Sequence, residues 1–408
     1  MNVINHLHWQ WSLHLGIGLV STLLGGYGQC APRTPIDDSV VIERLPFRAG
    51  SGRQRGLADL RANVLKAPKD GAAGVALAQA YFDQALALGD PRYVGYADAI
   101  VARFDKHMTP DLLMMRGMLR QYRHDFSPAL SDFASALELD PELASAHAWR
   151  GAIYLVQAHY SQANQECDAL LRLRRNVLHG GCRGLLLAYT GQLDRAYVTL
   201  QNALTLASDQ GQRLWLLTRL GEVAAWQGKP SSAERHYREA LALGRDDGYL
   251  LAAWSDFLLD TNRPEEVEKL LALWKASDGL LLRLAEAEKL LERPAAATHI
   301  KILEDRFSAA KLRGDTTHQA EESRFQLRLR NNPKLAVQLA AANFQEQKEP
   351  RDLRALLESA RLAKDGKAAQ AAFNWLTVSG FEDSLLRSLA QDTAQQLSVG
   401  SSSSISKP

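Results

Sequence analysis

The sequence lacks several features that would assign a function directly. Its 408 residues carry 48 Lys and Arg against 46 Asp and Glu, without the basic surplus by which general nucleic-acid binders neutralise phosphates. Only three cysteines occur, too few for a disulfide scaffold or a Cys-rich zinc fold. Strand-like runs, phosphate loops and the motifs of zinc proteases and serine hydrolases are also missing. We therefore expect a non-enzymatic helical protein without nucleic acid, metal or cofactor.

Charged side chains are absent from residues 1–32. An apolar run from Leu13 to Leu24 is followed by small residues, the pattern of a secretory signal, although no Lys or Arg precedes the run. This pattern predicts export to the periplasm of a bacterium, with residues 1–30 removed. The alternatives are a lipoprotein modified at Cys30 or an uncleaved anchor facing the periplasm, because the 20 residues from Trp9 to Gly28 are enough to span a bilayer. Membrane contact is expected only through this segment, if it is not cleaved.

The remaining chain divides by composition. Proline and glycine over residues 31–56 predict a linker, and the Ser-rich residues 398–408 predict a disordered tail. Between them, residues 57–380 carry helical patterns, and residues 381–397 predict a polar capping helix of the kind that covers the end of a repeat array.

Small residues recur in phase through the middle of the chain. Four glycines are separated by 34, 33 and 37 residues: Gly117, Gly151, Gly184 and Gly221. Four alanines have the same separations: Ala129, Ala163, Ala196 and Ala233. Two positions that repeat together indicate a repeated structural unit rather than a chance match.

These positions, with Leu113, Phe133, Ala136 and Pro141, resemble the tetratricopeptide repeat family, whose unit is a helix–turn–helix of roughly 34 residues. The resemblance implies an all-α, right-handed α-solenoid of about eight helix pairs. It is specific over residues 110–245 and holds in outline over 74–378. The small residue in helix A lets helix B approach closely, and a proline ends helix B because it cannot continue the helix.

In this family the first helix of each pair, helix A, lines a concave face that binds peptides or partner helices. Six side chains are placed on that face by position: Met114, Met118, Tyr122, Tyr189, Trp215 and Trp226. Such side chains suit an adaptable groove for a protein partner. The alternative is that they pack between neighbouring helices. The Lys and Asn residues that clamp chaperone carboxylates in other family members are absent from the corresponding positions.

Arginine precedes three of the repeat glycines, as Arg116, Arg150 and Arg183. The family usually has an apolar residue there. One interpretation is a ladder for an anionic ligand or acidic partner. The other is that each stem packs while its head group reaches solvent or a local carboxylate.

Two cysteines remain beyond the N-terminal segment. Cys167 and Cys182 are predicted on adjacent helices, where a disulfide would close a loop of 15 residues. Two buried free thiols are the alternative. His179 lies nearby, but two Cys and one His match no recognised metal or nucleophile spacing.

The sequence thus favours a protein-binding scaffold or adaptor of the bacterial cell envelope. The alternative is an accessory protein in envelope polysaccharide or peptidoglycan handling, which binds a glycan or a glycan-processing enzyme. Exposed Trp side chains in the groove would favour the second function.

Overall fold

Helix hairpins follow one another through the computed structural model, which describes residues 52–314 and 319–402. The chain divides at Gln54 into two units, and the fold below is that of the second, from Arg55 onward. Most of the predicted signal segment and linker, residues 1–51, and the end of the predicted tail, 403–408, lie outside the described residues.

Twenty α-helices make up the described part of the chain. They are α1 (Gly52–Lys66), α2 (Gly71–Leu88), α3 (Arg92–Val101), α4 (Pro110–Tyr122), α5 (Phe126–Leu139), α6 (Ala144–Val156), α7 (Tyr160–Arg172), α8 (Asn176–Tyr189), α9 (Leu193–Leu206), α10 (Gln210–Trp226), α11 (Pro230–Ala242), α12 (Gly248–Asp260), α13 (Pro264–Leu271), α14 (Asp278–Leu290), α15 (Ala295–Leu312), α16 (Gln319–Arg328), α17 (Pro333–Glu346), α18 (Pro350–Ala363), α19 (Gly366–Ser379) and α20 (Ser384–Ser402). From α2 to α19 they pair as nine successive hairpins, one more than the sequence suggests. No strand occurs in the described ranges, and the prediction of an all-α solenoid is confirmed.

Helix pairs in the middle of the array close against the repeat glycines. A Cβ atom on Gly117 would lie 2.4 Å from the ring of Phe133, and one on Gly221 would lie 2.7 Å from the ring of Tyr237. In each case the contacting side chain comes sixteen residues later, on the second helix of the same hairpin. At these two positions glycine is therefore required by the close approach of a large side chain, which is the role that the spacing predicts.

The turns inside the hairpins share one backbone conformation. Nine residues in these turns have a positive φ, between 52° and 71°: Gly89, His124, Ala158, Gly191, Gly228, Asn262, Glu292, Asn331 and Lys364. Each lies between the two helices of one hairpin. A left-handed residue commonly ends an α-helix, and here it recurs even where no glycine marks it.

Side-chain caps fix where many of the first helices begin. Thr109 accepts a hydrogen bond from the Leu112 amide, and Pro110 occupies the first turn of α4. Asp209 and Asp247 cap α10 and α12 in the same way. Such caps satisfy backbone N–H groups that have no partner within the helix.

The last hairpins return to the middle of the array. The Lys348 amide, between α17 and α18, donates to the Val156 carbonyl at the end of α6 over 2.7 Å. The Leu193 amide at the start of α9 donates to the Glu382 carboxylate over 2.9 Å. Phe381 is fully buried, and one apolar core runs from the hairpins around residues 155–223 into residues 337–386.

Helix boundaries differ at both ends from those predicted. α1 begins at Gly52, inside the predicted linker. The predicted capping helix is present as α20, but it continues to Ser402, into residues where the sequence suggests a disordered tail. None of the described helices is both long enough and apolar enough to traverse a lipid bilayer.

Candidate functional site

A cavity of about 710 Å³ lies where the first helices of the middle hairpins face those of the last ones. Three of the six predicted groove residues line it, namely Tyr122, Tyr189 and Trp226. They end α4, α8 and α10, at the same position of three different hairpins. The cavity is of the size that holds a small molecule or a short stretch of peptide.

The aromatic rings that line the cavity pack against the last part of the array. The rings of Tyr189 and Trp226 are 6.1 Å apart, and both contact Phe381, at 6.2 and 5.3 Å. The Tyr189 hydroxyl donates to Oε1 of Glu349 over 3.3 Å. Burial raises the pKa of Tyr189 well above its usual value, so this phenol stays neutral and keeps its proton for that hydrogen bond.

The other three predicted groove residues lie away from the cavity wall. Met114 and Met118 are buried in the core of the early hairpins. The ring of Trp215 covers Gly181, where a Cβ atom would lie 2.0 Å from it. These three side chains pack between helices in this structure, and a role for them in partner binding stays a prediction.

Polar side chains lie next to the aromatic rings that line the cavity. Tyr249 on α12 donates to Oε1 of Glu222 over 2.6 Å, and Arg219 donates to both residues. Arg351 on α18 donates to Oε2 of Glu349 over 2.6 Å. Glu222 and Glu349 are therefore each paired with an arginine on the same helix or next to it.

A longer network, which we call the ionic row, crosses four consecutive first helices, α12, α14, α16 and α18. Its members alternate in charge: Arg283, Asp256, Arg324, Glu286, Arg328, Glu358, Arg354 and Asp260. The contacts between successive members span 2.6 to 3.5 Å, and several are bidentate. Bidentate Arg–carboxylate pairs fix orientation as well as distance.

The ionic row changes how its carboxyl groups titrate. Burial alone would raise the pKa of Asp256, but the Arg283 and Arg324 guanidinium groups outweigh it and hold that pKa well below its usual range. Arg328 and Arg354 lower the pKa of Glu358 in the same way. Both carboxylates therefore stay charged at any physiological pH.

The start of α18 contains a carboxyl group whose pKa is raised rather than lowered. Asp352 is buried, and its carboxylate accepts from the Glu349 amide over 3.1 Å and from the Asn343 side chain over 2.9 Å. Burial is the largest effect, and with the nearby Glu349 carboxylate it outweighs Arg351 and raises the pKa of Asp352 to about 7. In the turn just before α18, the side-chain amide of Gln347 donates to Nδ1 of His124 over 2.9 Å.

Each arginine before a repeat glycine has a partner within the chain. Arg116 makes a bidentate pair with Asp132 over 2.8 and 3.1 Å, and Arg150 pairs with Glu166 over 2.9 Å. Arg183 donates to the Asn164 side chain. Whether this row binds an anion stays a prediction.

Cys167 on α7 and Cys182 on α8 form a disulfide, with their Cα atoms 5.6 Å apart. His179 contacts the Cys167 carbonyl oxygen through Nδ1 over 2.9 Å, so its ring is part of this helix contact. Among the described residues, no group of three or more His, Cys, Asp or Glu side chains is arranged to hold a metal ion.

Sequence reasoning missed the ionic row, although a signal was present. α12 carries two acids four residues apart, Asp256 and Asp260, and α16 carries Arg324 and Arg328 at the same spacing. Like charges at this spacing destabilise an isolated helix. Because the acids and the arginines lie on nearby first helices, the sequence indicates that the charges of one helix are neutralised by those of another.

Comparisons with solved structures return helix-repeat proteins. They include a tetratricopeptide repeat protein from Parabacteroides merdae, with 16% identity and a TM-score of 0.43 over 57% of this chain and 91% of that one. PilF from Pseudomonas aeruginosa matches with 23% identity and a TM-score of 0.37, over 49% and 92% of the two chains. Yeast Tom70 matches with 18% identity and a TM-score of 0.45, over 70% and 62%.

No protein-family model matches this chain, and no curated protein does. The likeness to the solved structures is one of fold only, and its scores are low. The assignment of hairpins therefore stands on this chain's own helix contacts, glycine packing and turns.

Proposed function

We propose that this protein is a non-enzymatic scaffold of the bacterial cell envelope and that its central cavity holds a segment of a partner protein. The observation that carries the proposal is the mixed lining of the cavity. Its aromatic rings can contact apolar side chains, while its charged and hydroxyl side chains can accept or donate hydrogen bonds to a peptide backbone.

Two features support a location outside the cytoplasm. Residues 1–32 have the uncharged, apolar pattern of an export signal. The Cys167–Cys182 disulfide is of a kind that persists in oxidising compartments. A fusion of this chain to alkaline phosphatase, which is active only when exported, tests the location. An inactive fusion would contradict it.

Partner binding is tested by filling the cavity. Ala253 lines the cavity and is half-buried, so Ala253→Trp fills the space without removing an existing contact. Ala297→Trp adds the same ring to an exposed position on α15 and serves as the control. Wild type and both variants are cross-linked in the host's envelope fraction, and captured proteins are identified by mass spectrometry.

We expect one stoichiometric protein partner with the wild type and the control and its loss with Ala253→Trp. Capture that is unchanged by Ala253→Trp would place the partner elsewhere and contradict the role of the cavity. An abundant bait with no enriched protein, combined with quenching of Trp fluorescence by envelope glycans, would instead favour the alternative of a glycan-binding accessory protein.

A further inference from the structure

Three arginines that lie close together in the sequence differ from most others in this protein. Arg172, at the end of α7, and Arg174 and Arg175, in the turn before α8, are exposed, and we call this segment the arginine loop (residues 172–175). Within the described ranges, none of the three side chains has an ion pair or a hydrogen bond. By contrast, Arg116, Arg150 and every arginine of the ionic row are bound to carboxylates.

A surface pocket of about 500 Å³ adjoins this loop. Arg174 and Arg175 line it together with apolar side chains that include Val177 and Leu206, and none of the described residues that line it is acidic. Leu206 is 58% exposed although it is a large apolar side chain. The pocket therefore combines uncompensated positive charge with apolar surface, whereas the central cavity carries matched charges.

The arginine loop is held in place by covalent and backbone bonds. The Cys167–Cys182 disulfide joins the helices on either side of it, so the loop lies inside the closed ring of residues. The amides of Arg174 and Arg175 donate to the carbonyls of Leu171 and Leu170, each over 2.9 Å. A loop that is fixed before binding loses little conformational entropy when a ligand arrives.

We propose that the arginine loop and its pocket form a docking site for an acidic segment of a partner protein, in which carboxylates flank an apolar side chain. The carboxylates would pair with the arginines, and the apolar side chain would enter the pocket beside Val177 and Leu206. The proposal rests on the proposed function, that the chain binds proteins, and adds a second contact surface outside the central cavity.

The charge and the shape of this surface favour an acidic peptide segment over a nucleic acid or a lipid surface. The chain has nearly equal numbers of acids and bases, without the basic surplus that is typical of proteins that bind nucleic acids. A flat lipid surface would contact the arginine head groups but would leave the pocket between them unfilled.

The test measures binding of a fluorescent peptide, Glu-Glu-Leu-Glu-Glu, by anisotropy. The variant R172A/R174A/R175A removes the three unpaired charges. The control variant R103A/R235A/R313A removes the same charge from three other exposed arginines that have no ion pair in the described ranges. We expect the first variant to weaken binding about tenfold or more and the control variant to leave it nearly unchanged.

Two companion peptides separate charge from apolar contact. Gln-Gln-Leu-Gln-Gln and Glu-Glu-Ser-Glu-Glu are each expected to bind more weakly than the first peptide. Equal weakening by both triple variants would overturn the proposal, because bulk charge would then explain the binding. Arginine-dependent binding to phosphatidylglycerol vesicles without arginine-dependent peptide binding would also overturn it, in favour of a lipid surface.

The envelope cross-linking experiment separates this proposal from the proposed function. A stoichiometric partner that R172A/R174A/R175A captures as well as the wild type does would leave the scaffold function standing and contradict the docking site. Absence of any partner with wild type, Ala297→Trp and the control triple variant alike would contradict the scaffold function itself.

Discussion

The early hairpins, α4 to α11, and the late hairpins, α12 to α19, have the same architecture but are held together differently. In the early hairpins a large side chain packs directly onto a glycine, as Phe133 does on Gly117. In the late hairpins the first helices are joined by the ionic row, from Arg283 to Asp260. One backbone design can therefore rely on steric fit within each hairpin in one half and on a continuous row of paired charges between hairpins in the other.

The difference explains why the repeat signal fades along the sequence. Close packing demands a small residue at a fixed position, so it leaves a periodic trace such as Gly117 and Gly221. An ion pair can be formed by Asp or Glu from either of two helices, so its residues need not recur at one spacing. The late hairpins keep the fold while losing the pattern.

The largest effect is expected from breaking the ionic row near its Arg283 end. Asp256→Asn removes the carboxylate between Arg283 and Arg324. Arg324 keeps Glu286, but the buried Arg283 loses the carboxylate it pairs with, which should cost about 3 to 5 kcal/mol of unfolding free energy. Urea unfolding measures this loss. The control is Asp305→Asn, whose pair with Lys301 is exposed and should contribute less than about 1 kcal/mol. Similar losses in both variants would mean that burial of the row does not matter.

Removing the disulfide tests the early half. The double variant Cys167→Ser and Cys182→Ser opens a loop that spans 15 residues, and we expect a loss of about 3 kcal/mol. Reduced wild type should unfold at the same urea concentration as the variant. If oxidised wild type and the variant had equal midpoints, the bond would contribute no stability.

Steric fit in the early half is tested by one methyl group. Gly117→Ala places a Cβ atom 2.4 Å from the Phe133 ring and should cost about 1 to 3 kcal/mol, because the ring has to move. Gly95→Ala, in α3, adds the same methyl where no atom lies within 4 Å, and should be neutral or stabilising by up to about 1 kcal/mol. A neutral Gly117→Ala would show that the close approach is not required.

A smaller effect concerns pH and the start of α18. Because the folded pKa of Asp352 is raised to about 7, the folded chain holds a proton there that the unfolded chain has already lost. The stabilisation is present below about pH 4 and is lost as the pH rises toward 7. Unfolding free energy should fall by about 1 kcal/mol between pH 6 and pH 7 because of this carboxyl. Asp352→Asn should remove that fall, and an unchanged slope in the variant would contradict the assignment.

Much of the fold could be predicted from the sequence because its determinants are local. Glycine and alanine at matched spacings predict the middle hairpins, and Asn331 to Pro333 mark the break between α16 and α17. The positions of Tyr122, Tyr189 and Trp226 also follow from that phase, and all three line the cavity.

The return of the last hairpins could not be predicted, because it depends on a small rotation between hairpins that accumulates along the array. No single residue in the sequence determines that rotation. Phe381 shows the result, since a residue expected at the start of a polar cap is instead fully buried against Tyr189 and Trp226. Because the last hairpins return to the middle ones, the chain's own α18 and α20 form part of the wall of the predicted groove.

Contacts between the middle and the end of the array also bear on how the chain folds. An open array in which each unit touches only its neighbours can unfold gradually from either end. Here the Leu193 amide is bonded to Glu382, 189 residues further along, so the late hairpins cannot detach without exposing the core of the middle ones. We therefore expect residues 155–386 to unfold in one cooperative step and to refold slowly, because such distant partners have to meet before either is stable.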